Sequence, residues 1–138
     1  MAEELRIRPN GDLAAALGDY LAEWSGRCGV AVEIWALPAA AVSRRVAQVV
    51  YATFVEALSN VERHSRARQV SVAVTVGKAG LRMTVSDDGA GFGVDGVAPG
   101  SGRGLAAMRA RFAEAGGTLT INSVPGGGTT VTGVIRSR

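Results

Sequence analysis

Histidine occurs once in this chain of 138 residues, at position 64, and cysteine once, at position 28. One cysteine excludes an internal disulfide, and the scarcity of both residues argues against a metal centre built from them. Aromatic residues make up only 5% of the chain, and the net charge is a modest +3. Its arginines gather locally, as Arg63, Arg66 and Arg68 and again as Arg103, Arg109 and Arg111, without a continuous stripe. That pattern suits an anionic ligand and argues against a nucleic-acid binder, which needs a broad basic footprint and aromatic stacking platforms. No apolar run approaches the ~18 residues that span a bilayer, and the start MAEELRIRP has no signal-peptide core. A cytoplasmic chain without membrane contact is expected.

Glycine, in contrast, is abundant. Of 19 glycines, 13 lie after position 88, with no repeating period. They are placed to shape backbone, since glycine alone enters left-handed conformations freely and lets a ligand approach the main chain. With 47% apolar residues, the whole chain is expected to be one domain with a substantial core.

The hydrophobic pattern organises that domain. Alanine and leucine over residues 12–24 predict a helix, capped by Asn10 or Asp12 and stopped by Gly26 or Gly29. Residues 30–35 alternate as a strand, and a long helix is expected over 40–65. Period-two alternation marks strands over 69–76 and 81–86, joined by the hairpin GKAG. Residues 87–103, rich in Gly, Asp and Pro, suit neither element. A helix over 104–115 stops at Gly116 and Gly117, and strands over 118–123 and 129–135 flank PGGG. Helices before and between hairpins predict an α+β fold, a two-layer sandwich of one mostly antiparallel sheet covered on one face by about three helices.

Three stretches carry chemistry. The long helix reads EALSNVERHS from position 56, and at about 100° per residue Glu56, Asn60 and Arg63 fall within about 60° of one another. His64 lies between them and the apolar stripe formed by Val46, Val49, Val50, Thr53, Phe54, Ala57, Leu58 and Val61. A helix that sets an amide and an acid beside its buried face spends hydrogen-bonding groups where bare burial is costly. Asn60 offers Mg²⁺ an oxygen ligand, Arg63 and His64 can meet phosphate, and Glu56 can orient or deprotonate an attacking group. The second stretch, SDDGAGFG at 86–93, ends a strand in acids and glycines, and there Asp88 is the candidate acceptor for an exocyclic amine such as that of adenine. The third, SGRGLAAMRARF at 101–112, puts glycines and Arg103 at a helix N-terminus, whose free N–H groups attract anions.

Taken in order, these motifs resemble the catalytic ATP-binding domain of bacterial sensor histidine kinases, in the superfamily that includes gyrase, Hsp90 and the mismatch-repair ATPases. The resemblance rests on the asparagine box ExxxNxxRH at Glu56 to His64, the aspartate–glycine box at Asp88 to Gly91, and the GxGL box at Gly102 to Leu105. It spans residues 5–135. The runs GRGLAAMRAR, GGTLTINS and PGGGTTV bring it nearest to the nitrate-sensor class.

The resemblance implies the Bergerat ATP-binding fold, with ATP and Mg²⁺ as ligands. It implies Asn60 as the Mg²⁺ ligand, Asp88 as the adenine acceptor and Thr129 as the support for that aspartate. Gly89, Gly91, Gly102, Arg103, Gly104 and Leu105 would shape the pocket and its lid, and Arg63 and His64 would meet phosphates. Where the class often carries arginine and glutamine ahead of the asparagine box, this chain has Ala52 and Val55. No acceptor histidine lies outside that box. The resemblance therefore implies a domain that donates the γ-phosphoryl group of ATP to a histidine on a separate dimerisation segment, with a response regulator downstream. It would stand as a monomer in the cytosol, as part of a membrane-bound sensor where one exists. An anti-sigma-factor type of serine kinase and a non-catalytic nucleotide-binding module are the other expectations.

Overall fold

A computed structural model describes residues 13–38, 42–62, 67–89, 101–124 and 127–136, and of these the side chains of 101–104 and 124 are left out. Helix α1 (Leu13–Cys28), strand β1 (Ala31–Ala36), helix α2 (Arg44–Asn60), strands β2 (Gln69–Gly77) and β3 (Gly80–Asp87), helix α3 (Ser101–Glu114) and strands β4 (Gly117–Val124) and β5 (Gly128–Arg136) follow in chain order. The strands form one sheet in the order β1-β2-β3-β5-β4. Only β1 and β2 run parallel, with α2 as their crossover; the other neighbours are antiparallel. Among the described residues the expected α+β sandwich forms, with three helices on one face of the sheet.

Local chemistry moves several boundaries. The first helix runs through Gly26 to Cys28 and stops at Gly29, whose φ of 78° ends it. The long helix starts at Arg44, not near residue 40, because the Ser43 hydroxyl accepts from the Val46 N–H at 3.2 Å as an N-cap. Beyond Asn60 it widens into a π turn at Val61 and Glu62, a geometry often found beside functional sites. Helix α3 begins at Ser101, three residues before the expected start, so Gly102 and Gly104 lie inside its first turn. Among the described residues no helix is long and apolar enough to cross a membrane.

The core lies between the helices and one sheet face. Strand register builds that face in rows: Val76, Leu81, Ile135 and Gly117; then Val74, Met83, Gly133 and Leu119; then Val72, Val85, Val131 and Ile121. Leu17, Leu21 and Trp24 of α1, Val50, Phe54 and Leu58 of α2, and Met108 and Phe112 of α3 cover them. Ala47 and Tyr51 also bury on α2, so its apolar face is broader than the sequence stripe. Thr53, buried among them, is satisfied by its own helix through the Val49 carbonyl at 2.8 Å.

Phe112 needs space that only glycine leaves. A Cβ at Gly133 would collide with Cε2 and Cζ of its ring and come within 3.1 Å of Met83 Cγ. Gly133→Ala is therefore expected to destabilise the fold by about 1–3 kcal/mol through overpacking, read as a lower denaturant midpoint at unchanged slope.

Helices α2 and α3 run in opposite directions along the sheet. Near the start of α2, Arg45 donates to the Glu114 carbonyl at 2.6 Å, a cation on the negative end of α3. This clasp fixes the far ends of the two helices. Their other ends, Asn60 and Ser101, then fall toward the end of the sheet where the central strand β3 finishes.

Candidate nucleotide site

The fourth row of the helix-facing side breaks the pattern of the other three. It begins with the buried Val70 and continues with Asp87, Thr129 and Ser123 on three successive strands. An apolar floor thus ends in a carboxylate and two hydroxyls. The last turns of α2, with Glu56 and Asn60 both half-buried, reach the same end of the sheet, because the chain passes from Val61 to the start of β2 within a few residues. The first turn of α3 is there as well, with Leu105 packed against the core. The site is the place where the inner layer runs out of hydrophobic residues between two helix ends.

The two adjacent aspartates have different surroundings. Asp88 is exposed, and its Oδ1 accepts from the main-chain N–H groups of Arg68 at 2.9 Å and Gln69 at 3.0 Å. Those bonds hold its carboxyl below the usual carboxylate range. Its role in the structure is to clamp the beginning of β2 to the end of β3. Asp87 is half-buried, and burial pushes its carboxyl above the usual range, opposed by bonds from the main chain of Gly89 and Thr129. Gly89 N–H donates to its Oδ1 at 2.8 Å. Counted along the sequence, the spacing DxGxG is met from Asp87 through Gly89 to Gly91. That register, one residue earlier than Asp88, was the signal available in the sequence.

Close approach of the main chain completes this corner. Gly128, at φ 86°, lies against the Asp87 carbonyl, and a Cβ there would run into that oxygen. Glycine is required on both conformational and steric grounds. Next to it, the Thr129 and Ser123 hydroxyls are 2.9 Å apart.

The other expected residues divide as follows. Glu56, Asn60, Asp88, Gly89, Leu105 and Thr129 are brought to this end of the sheet. Arg63, His64 and Gly91 lie outside the described residues, as do the side chain of Arg103 and the surroundings of Gly102 and Gly104. A groove of about 280 Å³ lined by Arg45, Gln48, Val49, Ala52, Arg111 and Glu114 lies at the opposite end of the helix pair. Its Arg45 is already committed to the clasp on α3, so the groove is not where the chemistry gathers. Among the described residues no three His, Cys, Asp or Glu side chains come together as a metal cage. A Mg²⁺ held by one amide oxygen, phosphates and waters needs no such cage, so the donor set at Asn60 fits that ion.

Comparison with known proteins follows the same lines. Residues 45–138 match the family of histidine kinase-, DNA gyrase B-, and HSP90-like ATPases. The chain is 36% identical over 131 residues to sensor histidine kinase LiaS of Bacillus subtilis (strain 168), covering 92% of this chain and 36% of that protein. It is 37% identical over 140 residues to sensor histidine kinase MctS of Rhizobium johnstonii, covering 98% of this chain and 30% of that protein. It thus spans about a third of the length of these relatives. The histidine kinase domain of the blue-light activated kinase of Erythrobacter litoralis EL346 superposes with a TM-score of 0.73 at 26% identity, covering 89% of this chain and 60% of that one.

Proposed function

Since this chain belongs to the family of histidine kinase-, DNA gyrase B-, and HSP90-like ATPases, we propose that it binds ATP·Mg²⁺ between the polar row and the ends of α2 and α3, and donates the γ-phosphoryl group to a histidine. The observation that carries this reading is the row Asp87, Thr129 and Ser123 closing an otherwise apolar floor beside Glu56 and Asn60. The adenine amine is assigned to Asp87. Its carboxylate is half-buried on the helix-facing row at the end of that floor, whereas Asp88 is exposed and held against the main chain of Arg68 and Gln69. A desolvated carboxylate gains most from a donor brought into the same low-dielectric corner.

Asn60 supplies the Mg²⁺ ligand, and the metal when bound neutralises charge on the phosphates. The first N–H groups of α3 face the anionic end of the nucleotide, with Arg63, His64 and Arg103 as the cations. Glu56, one turn back from Asn60, orients or deprotonates the attacking group. The whole chain acts as a single ATP-binding domain, and its subclass is the nitrate-sensor one, supported by the GxGLxxMxxR and PGxGTxV runs. In the intact system the acceptor histidine sits on a dimerisation segment and passes its phosphoryl group to a response regulator. The domain itself operates as a monomer on the cytosolic side.

Calorimetric titration with a non-hydrolysable ATP analogue tests this directly. Asn60→Ala is expected to remove most of the affinity gained by adding Mg²⁺ while changing binding in chelator little. An equal loss in both conditions would make Asn60 a structural residue. Transfer to a supplied histidine-bearing segment should yield an acid-labile phosphoryl group; an acid-stable product would indicate a hydroxyl acceptor.

A further inference from the structure

We propose that Arg27 is a positioning residue for the Mg²⁺ ligand Asn60, acting through Glu62; the inference rests on the nucleotide-site reading above. Asn60 sits where α2 stops being a regular helix. One residue on, the Val61 N–H is shared between the carbonyls of Ala57 and Leu58, and Val61 and Glu62 form the π turn. A donor split between two carbonyls marks a helix terminus, where the ladder of single strong bonds runs out. The main chain that carries Asn60 therefore depends on side chains to hold its course.

Two side chains do so from opposite sides. Val61 is buried in the core, and outside it Glu62 Oε1 stands 3.9 Å from Arg27 Nη2 of α1. Among the described residues this ion pair joins two different elements, whereas the contact of Arg27 Nη1 with Glu23 Oε1 at 3.7 Å lies within α1. The α1 end of the tether is firm. Trp24 is fully buried, the Ser25 hydroxyl donates to the Val30 carbonyl at 2.6 Å, and the Gly29 N–H donates to the Ser25 carbonyl at 2.9 Å. Arg27 itself occupies the last turn of α1, where the helix dipole favours a cation, and Glu23 one turn back restrains it. Helix α2 is thus secured twice: Arg45 ties its start to α3, and Arg27 ties its end to α1. A helix end held in one place presents the Asn60 amide already oriented, and a ligand that need not be ordered first binds more tightly.

Titrations of the full chain with a non-hydrolysable ATP analogue, in Mg²⁺ and in chelator, read the effect. Arg27→Gln and Glu62→Gln are each expected to weaken binding in Mg²⁺ about two- to fivefold, the reach of one solvent-accessible ion pair, and to leave binding in chelator unchanged. The two substitutions change the net charge in opposite directions, so a shared loss cannot come from the overall field of the protein. The double variant is expected to lose no more than either single one, because the two side chains act as a unit. Wild-type affinity in Arg27→Gln, opposite effects in the two single variants, losses that add in the double variant, or losses equal in Mg²⁺ and in chelator would each overturn the positioning role. Wild-type protein whose affinity does not respond to Mg²⁺ would instead remove the reading of Asn60 as a metal ligand, and the inference with it.

Discussion

Asp87→Asn is expected to lower ATP affinity roughly ten- to a hundredfold, while Asp88→Ala leaves affinity within about twofold of wild type. The first figure is the loss of one charge-assisted hydrogen bond, about 1.5–3 kcal/mol. Asparagine keeps the size of Asp87 and its bond from Gly89 but carries no charge to receive the amine. Asp88→Ala frees two main-chain N–H groups that water can reach, so it costs stability on the order of 1 kcal/mol or less and leaves the base contact intact. Parallel titrations of the two variants decide between the aspartates. Tight ATP binding by Asp87→Asn together with a large loss in Asp88→Ala would return the contact to Asp88.

The same pair should differ in its response to pH. Burial raises the Asp87 carboxyl in the folded protein, so its ionisation costs stability, and the advantage of the folded state below the unfolded pKa is lost as pH rises through the folded pKa. The Asp88 carboxyl is lowered, so its contribution is present above the unfolded pKa and is lost as pH falls through the folded one. A bound amine favours the ionised form of Asp87. Nucleotide should therefore pull its carboxyl titration downward in a side-chain NMR experiment and leave that of Asp88 in place.

Glu56→Gln is expected to leave nucleotide binding largely intact and to reduce phosphoryl transfer to a supplied histidine segment by about 10²- to 10⁴-fold, the usual scale of general-base help. Glutamine preserves the size and an accepting carbonyl but cannot take a proton, so a loss confined to turnover isolates the acid–base role. Loss of affinity or stability instead would make Glu56 a structural partner on α2. Transfer within error of wild type at saturating ATP would remove it from the mechanism.

Much of the fold was legible because its signals are local. Alternation over β2 and β3 is strict, with Val72, Val74 and Val76 opposite Val85, Met83 and Leu81, and a one-residue slip would turn every one of these side chains out of the core. The parallel pairing of β1 with β2 left no such mark. Its edge strand is mostly exposed, with Ile34 at 46% and Trp35 at 72%, and which strand it joins depends on where α2 delivers the chain. Helix starts shifted for a related reason, since capping by Ser43 is decided by one hydroxyl rather than by hydrophobic period.

The sequence by itself determined the element types, the glycine-shaped corner, and the helix face that carries Glu56 and Asn60, because each depends on neighbours within a few residues. The DxGxG spacing marks Asp87 in the sequence, but only the tertiary structure showed how differently the two aspartates are surrounded. Both are the same side chain at the end of one strand, and pleating turns them to opposite faces: Asp87 onto the row shared with Thr129 and Ser123, and Asp88 back onto the main chain of β2. The alliance of Asp87, Thr129 and Ser123 was likewise out of reach of the sequence. It joins three strands that meet only through cross-strand register, and register between distant segments is fixed by the packing of the whole sheet against its helices.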